Sequence, residues 1–173
     1  MGLKELTLHK HREAESTHFM QELIAGHLPA EVWTDFVYQK TLFYKTLEGL
    51  AGAYCECNQV PDLYRAFLLY LDFSELANNK VYRHRTVTVD YHNYLLQLGN
   101  QSDKIMAHVY VWHMGDLFGG QMIKKLTPGS NLSLDFVNKE SLIQFIRVRC
   151  KDEMAQEAIT AFDYAIKIMN ELF

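Results

Sequence analysis

Cysteine is scarce in this sequence, and its positions exclude a fold that is stabilised by several disulfide bonds. Only three cysteines occur among the 173 residues, so they cannot all pair, and Cys55 and Cys57 lie too close together for an ordinary structural bridge. A Cys-x-Cys pair also lacks the further sulfur and imidazole ligands that a zinc site needs. Reduced thiols, with Cys150 as the third, are the expected state and are typical of a reducing compartment.

Long apolar runs and a strong net charge are missing as well. No stretch reaches the roughly 18 apolar residues of a membrane span, and the opening MGLKELTLHKHREAE has neither the apolar core nor the cleavage site of a secretory signal. Seventeen basic against 21 acidic residues leave a net charge of −4, which gives no general attraction to nucleic acid or to an anionic membrane. These features predict a cytoplasmic protein with no membrane anchor and no nucleic-acid partner.

Proline is rare, and each proline marks a place where a helical pattern stops or restarts. The three residues are Pro29, Pro61 and Pro128, and proline is best tolerated at such boundaries. Apolar residues at spacings of three and four predict one helix near 2–24, with Gly26 as its stop signal. The same periodicity after the first proline predicts a long helix near 30–56.

The remaining blocks are also helical in pattern. In 61–98 we expect a shorter helix from the proline, a candidate N-cap at Ser74 and another helical segment from Asp90. A further helix begins near Ser102, and amphipathic runs fill the block from about Asn138 to the end. Alternating strand patterns are scarce, and TVTVDY is the one short candidate. The prediction is an all-α protein with a single domain over residues 1–173.

Three glycines inside one helical segment need a physical explanation. Gly115, Gly119 and Gly120 lie in MGDLFGGQM, and together they cost a helix about 3 kcal/mol relative to alanine. Because Gly115 and Gly119 share a face, another body must approach the backbone closely there. Two interpretations stay open: a tight crossing of two helices, which is the commoner case, or a helix laid over a flat ligand. Asp116 favours the second, because a buried carboxylate between glycines is a candidate for ordering water or passing protons.

The first helix carries a second group of functional candidates. Lys4 and His11 are seven residues apart on nearly one face, about 10 Å along the helix axis. A histidine ligand would hold iron there while the lysine reached a peripheral carboxylate. The alternative is a solvated polar face, since His9 and His18 are also present. The ten Tyr, ten Phe and two Trp residues fit a large core or the walls of a flat apolar slot.

Four segments of the chain resemble one known family. GDLFGGQ, inside AHVYVWHMGDLFGGQMIKKL, is similar to the distal-helix signature of haem oxygenases, usually written GDLSGGQ. LKELTLHKHREAESTHFM resembles the family's opening helix, in which a histidine precedes an Ala-Glu pair and then Phe-Met. KTLFYKTLE resembles its aromatic Y-x-x-Y-x-A-L-E segment, and IRVRCKDEM its basic stretch before the last helices. The resemblance covers nearly the whole chain.

The resemblance implies both a fold and a set of site residues. The fold is a single-domain haem-oxygenase-like helical bundle with haem between the first helix and a glycine-kinked distal helix. His11 is the implied iron ligand, and Asp116 is the implied catalytic residue that organises distal water. Lys4, Tyr110 and Arg147 are implied to contact the propionates. The residues expected to bind haem are Lys4, His11, Ala14, Glu15, Tyr110, Gly115, Gly119, Gly120 and Arg147.

The resemblance also implies an activity. In that family haem is both substrate and prosthetic group, and O2 with electrons from an external donor opens the porphyrin ring to biliverdin, CO and ferrous iron. The implied partners are therefore haem, O2 and a soluble donor, of the ferredoxin type or another reductase. Basic residues such as Arg83 and Lys124 are candidates to meet an acidic donor.

Three positions depart from the family pattern and motivate alternatives. Phe118 replaces the usual serine, Trp112 stands where an arginine is common, and Ile143 stands where some members have a propionate-binding lysine. A non-catalytic haem carrier or sensor on the same fold is therefore the second hypothesis. A di-iron carboxylate enzyme is the third, but Glu15 with His18 is the one pair that has its E-x-x-H spacing.

Overall fold

Eight α-helices account for most of residues 2–173, the part of the chain that the computed structural model describes. In chain order they are α1 (Leu3–Glu15), α2 (His18–Ala25), α3 (Ala30–Tyr54), α4 (Ala66–Leu76), α5 (Thr86–Leu98), α6 (Ser102–Leu126), α7 (Lys139–Arg149) and α8 (Ala155–Glu171). Short 3-10 turns join several of them, and residues 2–173 contain no strand. The all-α prediction is confirmed. None of the helices in this range has the length and apolar composition to cross a bilayer.

The helix predicted over 2–24 is wrong in one respect, because the structure has two helices there. Thr17 has an extended backbone, with ψ 149°, and its hydroxyl accepts a hydrogen bond from the Met20 amide at 3.3 Å. A threonine that satisfies a free N–H in this way starts a new helix. The apolar periodicity runs through this break and hides it. The predicted stop at Gly26 is confirmed, since that residue ends α2 with φ 74°.

The segment before α4 also differs from expectation. Pro61 starts only a single 3-10 turn, and α4 begins at Ala66. Its first amides are capped from a distance, because the Glu48 carboxylate accepts hydrogen bonds from the backbone N–H of Arg65 at 2.6 Å and of Ala66 at 3.0 Å. The predicted N-cap at Ser74 is wrong. Ser74 lies inside α4, where its hydroxyl donates to the Tyr70 carbonyl at 2.8 Å.

The strand candidate TVTVDY is helical in the structure. α5 begins at Thr86, four residues before the predicted start at Asp90. The Glu171 carboxylate, from the end of α8, accepts a hydrogen bond from the Val87 amide at 3.0 Å. The free N–H groups of a helix start need such acceptors, and here the acceptor comes from 84 residues further along the chain. Local β-propensity is therefore overridden by a tertiary contact.

The core is built around α3 and α6, which have 25 residues each. These helices pack against each other, α3 also packs against α4 and α5, and α6 packs against α7 and α8. An aromatic cluster of Phe43, Tyr44, Tyr91 and Trp112 lies between them, with the Phe43 and Trp112 ring centroids 4.5 Å apart. Despite its three glycines, α6 is continuous from end to end.

Two carboxylates of α4, one buried and one exposed, bind the connection between α6 and α7. Asp72 of α4 is 1% exposed, and its two oxygens accept hydrogen bonds from the backbone N–H of Leu132 at 2.6 Å and of Ser133 at 2.9 Å. Glu75, one turn later on the same helix, accepts from the Ser130 amide, but on the exposed surface. Together they hold the connection between α6 and α7 against α4.

This arrangement predicts unequal effects for two similar truncations. Asp72→Ala should lower the free energy of unfolding by about 2–3 kcal/mol, because two backbone N–H groups lose their acceptor away from water. Glu75→Ala is the matched control and should cost less than about 1 kcal/mol, because water replaces its carboxylate. Urea unfolding of both variants measures the difference. Equal losses would show that burial does not distinguish the two contacts.

Candidate functional site

Two of the three glycines of α6 face open space. Apart from the helix's own backbone, no atom of residues 2–173 lies within 4 Å of the place where a Gly115 Cβ would stand. At Gly119 the contact within that distance is Cδ1 of Ile123, at 3.6 Å on the same helix. A tight helix crossing therefore does not explain these two glycines. They leave bare backbone surface on which a flat ligand fits.

Gly120 has a different environment. A Cβ at this position would stand 3.3 Å from the Cβ of Leu134, in the 3-10 turn Leu132–Leu134. Gly120 is buried, and its missing side chain is explained by close packing. Leu134 occupies the space that a side chain at this position would take, and the expected contact of Gly120 with a ligand stays a prediction.

Asp116 lies next to the open face and is held by α3. It is 8% exposed. Its two oxygens accept hydrogen bonds from the Lys40 ammonium at 2.9 and 2.8 Å, and Oδ2 accepts another from the Tyr44 hydroxyl at 2.5 Å. Burial raises the pKa of Tyr44 well above its usual value, and the neighbouring Asp116 charge adds to the effect. Tyr44 is therefore a neutral donor to an anionic carboxylate.

Sequence reasoning missed Lys40 and Tyr44 as members of this site. Lys40 is 3% exposed, and it occupies the apolar stripe of α3 between Phe36 and Phe43. A lysine at a core position of an amphipathic helix is a readable signal, because a buried ammonium requires a paired anion. The partner, 76 residues away, is not readable from the periodicity.

His11 is on the exposed side of α1. Its side chain is 53% exposed, with Nδ1 3.5 Å from Oε2 of Glu15, and its ring lies edge-on to Phe162 at 6.0 Å between centroids. A carboxylate on this side of the imidazole favours a proton on Nδ1, and that tautomer leaves Nε2 free to bind a metal. Ala14 is half-buried and packs against the core. The donor set and its exposure fit an iron ligand.

Tyr110 connects α6 to α1 and α7. Burial raises its pKa, while a hydrogen bond with Thr7 and the charge of Arg147 act in the opposite direction. Tyr110 of α6 and Arg147 of α7 therefore lie close together beside α1, on which Lys4 stands one turn before Thr7. Lys4 and Arg147 are exposed. Such a group suits ligand carboxylates.

Trp112 starts a buried chain of hydrogen bonds. Its Nε1 donates to the Tyr91 hydroxyl at 2.9 Å, that hydroxyl lies 2.7 Å from Nδ1 of His108, and Nε2 of His108 lies 2.9 Å from Oε1 of Glu157. An indole N–H only donates, so the Tyr91 hydroxyl donates onward to Nδ1. His108 therefore carries its proton on Nε2 and donates to Glu157. Burial lowers the pKa of His108, which keeps the ring neutral.

Phe118 and Ile143, the other two residues that depart from the family pattern, lie outside the hydrogen-bonded set of Lys40, Tyr44 and Asp116. Phe118 is 58% exposed, and the Lys139 ammonium of α7 lies 5.4 Å above its ring. Ile143 is half-buried against the core. Neither contacts the Lys40, Tyr44 and Asp116 side chains through a hydrogen bond, so neither replacement alters that set directly.

The di-iron alternative loses its structural basis. Glu15 ends α1 and His18 begins α2, so the E-x-x-H pair is not on one helix. Within residues 2–173, no three His, Cys, Asp or Glu side chains converge as a metal site. An open cleft of about 710 Å³ exists elsewhere, beside residues 80–85 and Leu172, but none of the predicted site residues lines it.

Comparison with known proteins decides the family. A family model described as "Heme oxygenase" matches residues 1–163. The chain belongs to the haem oxygenase family. Among curated relatives, "Heme oxygenase 2" of Mus musculus is 28% identical over 206 aligned residues, which cover 98% of this chain and 64% of the relative. The chain thus spans under two thirds of that relative's length. A "Heme oxygenase" of Rhodella violacea is 24% identical over 77% of this chain and 61% of its own length.

Solved haem oxygenases share the fold. Heme oxygenase-1 from the cyanobacterium Synechocystis, a structure in complex with heme, matches with a TM-score of 0.87 at 20% identity, over 98% of this chain and 90% of that one. The heme oxygenase of Leptospira interrogans matches with a TM-score of 0.84 at 22% identity, over 99% of this chain and all of that one. At these identities the likeness establishes the helical architecture.

The environments of the glycines predict opposite stability effects. Gly115→Ala should raise the free energy of unfolding of the haem-free protein by about 0.5–1 kcal/mol, because alanine favours the helix and its Cβ meets nothing. Gly120→Ala should give no gain or a loss, because Leu134 must shift. Chemical denaturation measures both. A similar gain in the two variants would contradict the packing assigned to Gly120.

The hydrogen-bonded chain predicts a pH dependence. Burial raises the pKa of Glu157, but hydrogen bonds from His108 and Tyr94 outweigh it, so the pKa lies below its usual value. The resulting stabilisation is complete above the unfolded-state pKa of about 4.5 and is lost as pH falls through the folded-state value. Glu157→Gln should therefore flatten the fall in unfolding free energy between about pH 5 and pH 3. Glu153→Gln, on the exposed turn before α8, is the control and should keep the wild-type slope.

Proposed function

We propose that this protein is a haem oxygenase, which binds haem and opens its ring to biliverdin, CO and ferrous iron with O2 and electrons from an external donor. The observation that carries the proposal is the bare face of α6 at Gly115 and Gly119, directly beside the buried anionic Asp116. Membership of the family supports the same conclusion. The heme complex of the cyanobacterial homologue supports haem as the ligand.

Residues from three helices, α1, α6 and α7, would hold the haem. His11 would bind the iron through Nε2, with Glu15 holding the proton on Nδ1. Gly115 and Gly119 would let the flat ring approach the α6 backbone. The propionates would meet Lys4 of α1, Tyr110 of α6 and Arg147 of α7, and the electrostatic interaction between Tyr110 and Arg147 supports this assignment. The residues present fit the ligand.

Asp116 is the proposed catalytic residue. Bound haem supplies the iron that activates O2 and the ring that is opened. Asp116 would order water beside the distal face and pass a proton through it, while its own carboxylate stays fixed to α3. Because Asp116 points to Lys40 and Tyr44 and not over the bare glycine face, it leaves room for a small ligand there.

The donor and the compartment are also proposals. A soluble ferredoxin-type donor or another reductase would supply the electrons, and the protein would work in the cytoplasm. All three cysteines are free, which supports a reducing compartment. Of the two basic residues named above for donor docking, Lys124 is paired with Asp135, so Arg83 is the better candidate.

A haem carrier or sensor is the second candidate function. It is favoured by Trp112, a neutral residue that donates its indole N–H into the protein core, at the position where the family resemblance leads one to expect an arginine. One experiment separates the two functions: haem-loaded protein is mixed with a chemical reductant and O2, and the absorption spectrum is followed. Loss of the haem bands with appearance of a bilin supports the oxygenase. Persistent haem without a bilin favours the carrier.

The ligand assignment predicts a specific effect of His11→Ala. Because the side chain is largely exposed, the unfolding free energy should change by less than about 0.5 kcal/mol. The haem complex should lose the absorption spectrum of histidine-ligated iron and its turnover, and added imidazole should restore the spectrum by occupying the vacated space.

His9→Ala is the matched control, since His9 is exposed on the same helix but two residues away, on another face. It should leave the spectrum and turnover intact. An unchanged spectrum in His11→Ala, or a lost one in His9→Ala, would assign the iron to a different ligand.

A further inference from the structure

Lys40 is a buried cation that contacts two aromatic rings and one anion. Its ammonium lies 4.8 Å above the Tyr44 ring and 5.7 Å from the Phe36 ring. Both oxygens of Asp116 lie within 2.9 Å of Nζ. A buried ammonium is strongly destabilising unless it is paired. Lys40 and Asp116 therefore depend on each other for their place in the fold.

The number of hydrogen bonds that Asp116 receives can be compared with the number that its carboxylate can accept. An ionised carboxylate has about four acceptor positions, two on each oxygen. Lys40 occupies one on each oxygen, and Tyr44 occupies the second on Oδ2. One acceptor position is left, on Oδ1. Asp116 can thus receive one more donor, in one direction.

Other ionisable groups pack around the pair but are bound elsewhere. Glu48 of α3 caps the start of α4, and Arg65 lies close enough to Asp116 to interact with its charge. His113 of α6 lies 2.9 Å from the Leu63 carbonyl through Nε2. Trp112, at the position where an arginine was expected, is neutral. Lys40 is thus the cation in direct contact with the Asp116 carboxylate.

Resting on the proposed function, we infer that Lys40 is a positioning residue for Asp116. With Tyr44, it fixes the carboxylate and turns its single remaining acceptor position on Oδ1 to one water beside the bare face of α6. Lys40 acts on haem only through Asp116.

Three variants of the full chain test this role: Lys40→Met, which keeps the length and removes the charge, Asp116→Asn, and the double variant. Each is loaded with haem, and the visible spectrum of the ferric complex is titrated with pH. Lys40→Met should move the midpoint of this spectral pH titration by about half a pH unit or more. In the Asp116→Asn background the same replacement should add no further shift, because the residue through which it acts is gone.

Asp35→Asn is the matched control, since Asp35 is a buried carboxylate of α3 whose ion pair with Arg85 lies outside the Asp116 hydrogen bonds. It should lower the thermal stability and leave the midpoint in place. A Lys40→Met variant that behaves like this control, less stable with an unmoved midpoint, overturns the inference and makes the pair purely structural. A full shift that persists in the Asp116→Asn background overturns it as well, since Lys40 would then act directly.

A measurement on the haem-free protein separates this inference from the proposed function. In infrared difference spectra referenced to Asp116→Asn, the wild type should show an ionised carboxylate band at neutral pH, and Lys40→Met should lose or move that band. An unmoved band overturns the inference even if haem binds and turns over normally. If the wild type binds no haem, the proposed function fails, and the infrared result still decides whether Lys40 controls Asp116.

Discussion

The ion pair between Lys40 and Asp116 is the constraint around which the bundle is arranged. It joins the two longest helices, α3 and α6, at points where both are buried. A charge on either helix without the other would be left in the core, so the pair fixes how far one helix slides along the other. The remaining helices pack around this fixed axis. Apolar contacts supply most of the stability, whereas the ion pair supplies the register.

The buried anions of the fold are satisfied in two different ways. Asp72 and Glu48 accept backbone N–H groups and so organise the chain locally, at a loop and at a helix start. Asp116 accepts from side chains alone and so organises nothing in its own backbone. Asp35 also accepts from side chains alone, those of Gln39 and Arg85. Asp116 differs from it by its place next to the bare backbone of Gly115.

The sequence was a good guide where local chemistry dictates structure. Periodicity and three prolines predicted an all-α bundle, Gly26 predicted the end of α2, and the glycine cluster with Asp116 marked the open face of α6. It failed where a distant group decides the outcome. α5 starts early because Glu171 caps it, and the break at Thr17 interrupts a periodicity that continues across it. The roles expected of His11, Lys4, Tyr110 and Arg147 stay predictions, although the last two are brought close together.

Glu157 shows how the same bundle treats an anion that has no cation of its own. Every hydrogen bond in the row from Trp112 through Tyr91 and His108 points its proton to this carboxylate, and Glu157 also lies in the first turn of α8, at the positive end of the helix dipole. Aligned dipoles therefore supply most of the balance, and the charge of Lys104 adds a smaller part. Such fields act over short distances inside the protein, where mobile ions do not enter. The balance at Glu157 should accordingly be nearly indifferent to ionic strength, unlike that of the exposed ion pairs on the surface of the same helices.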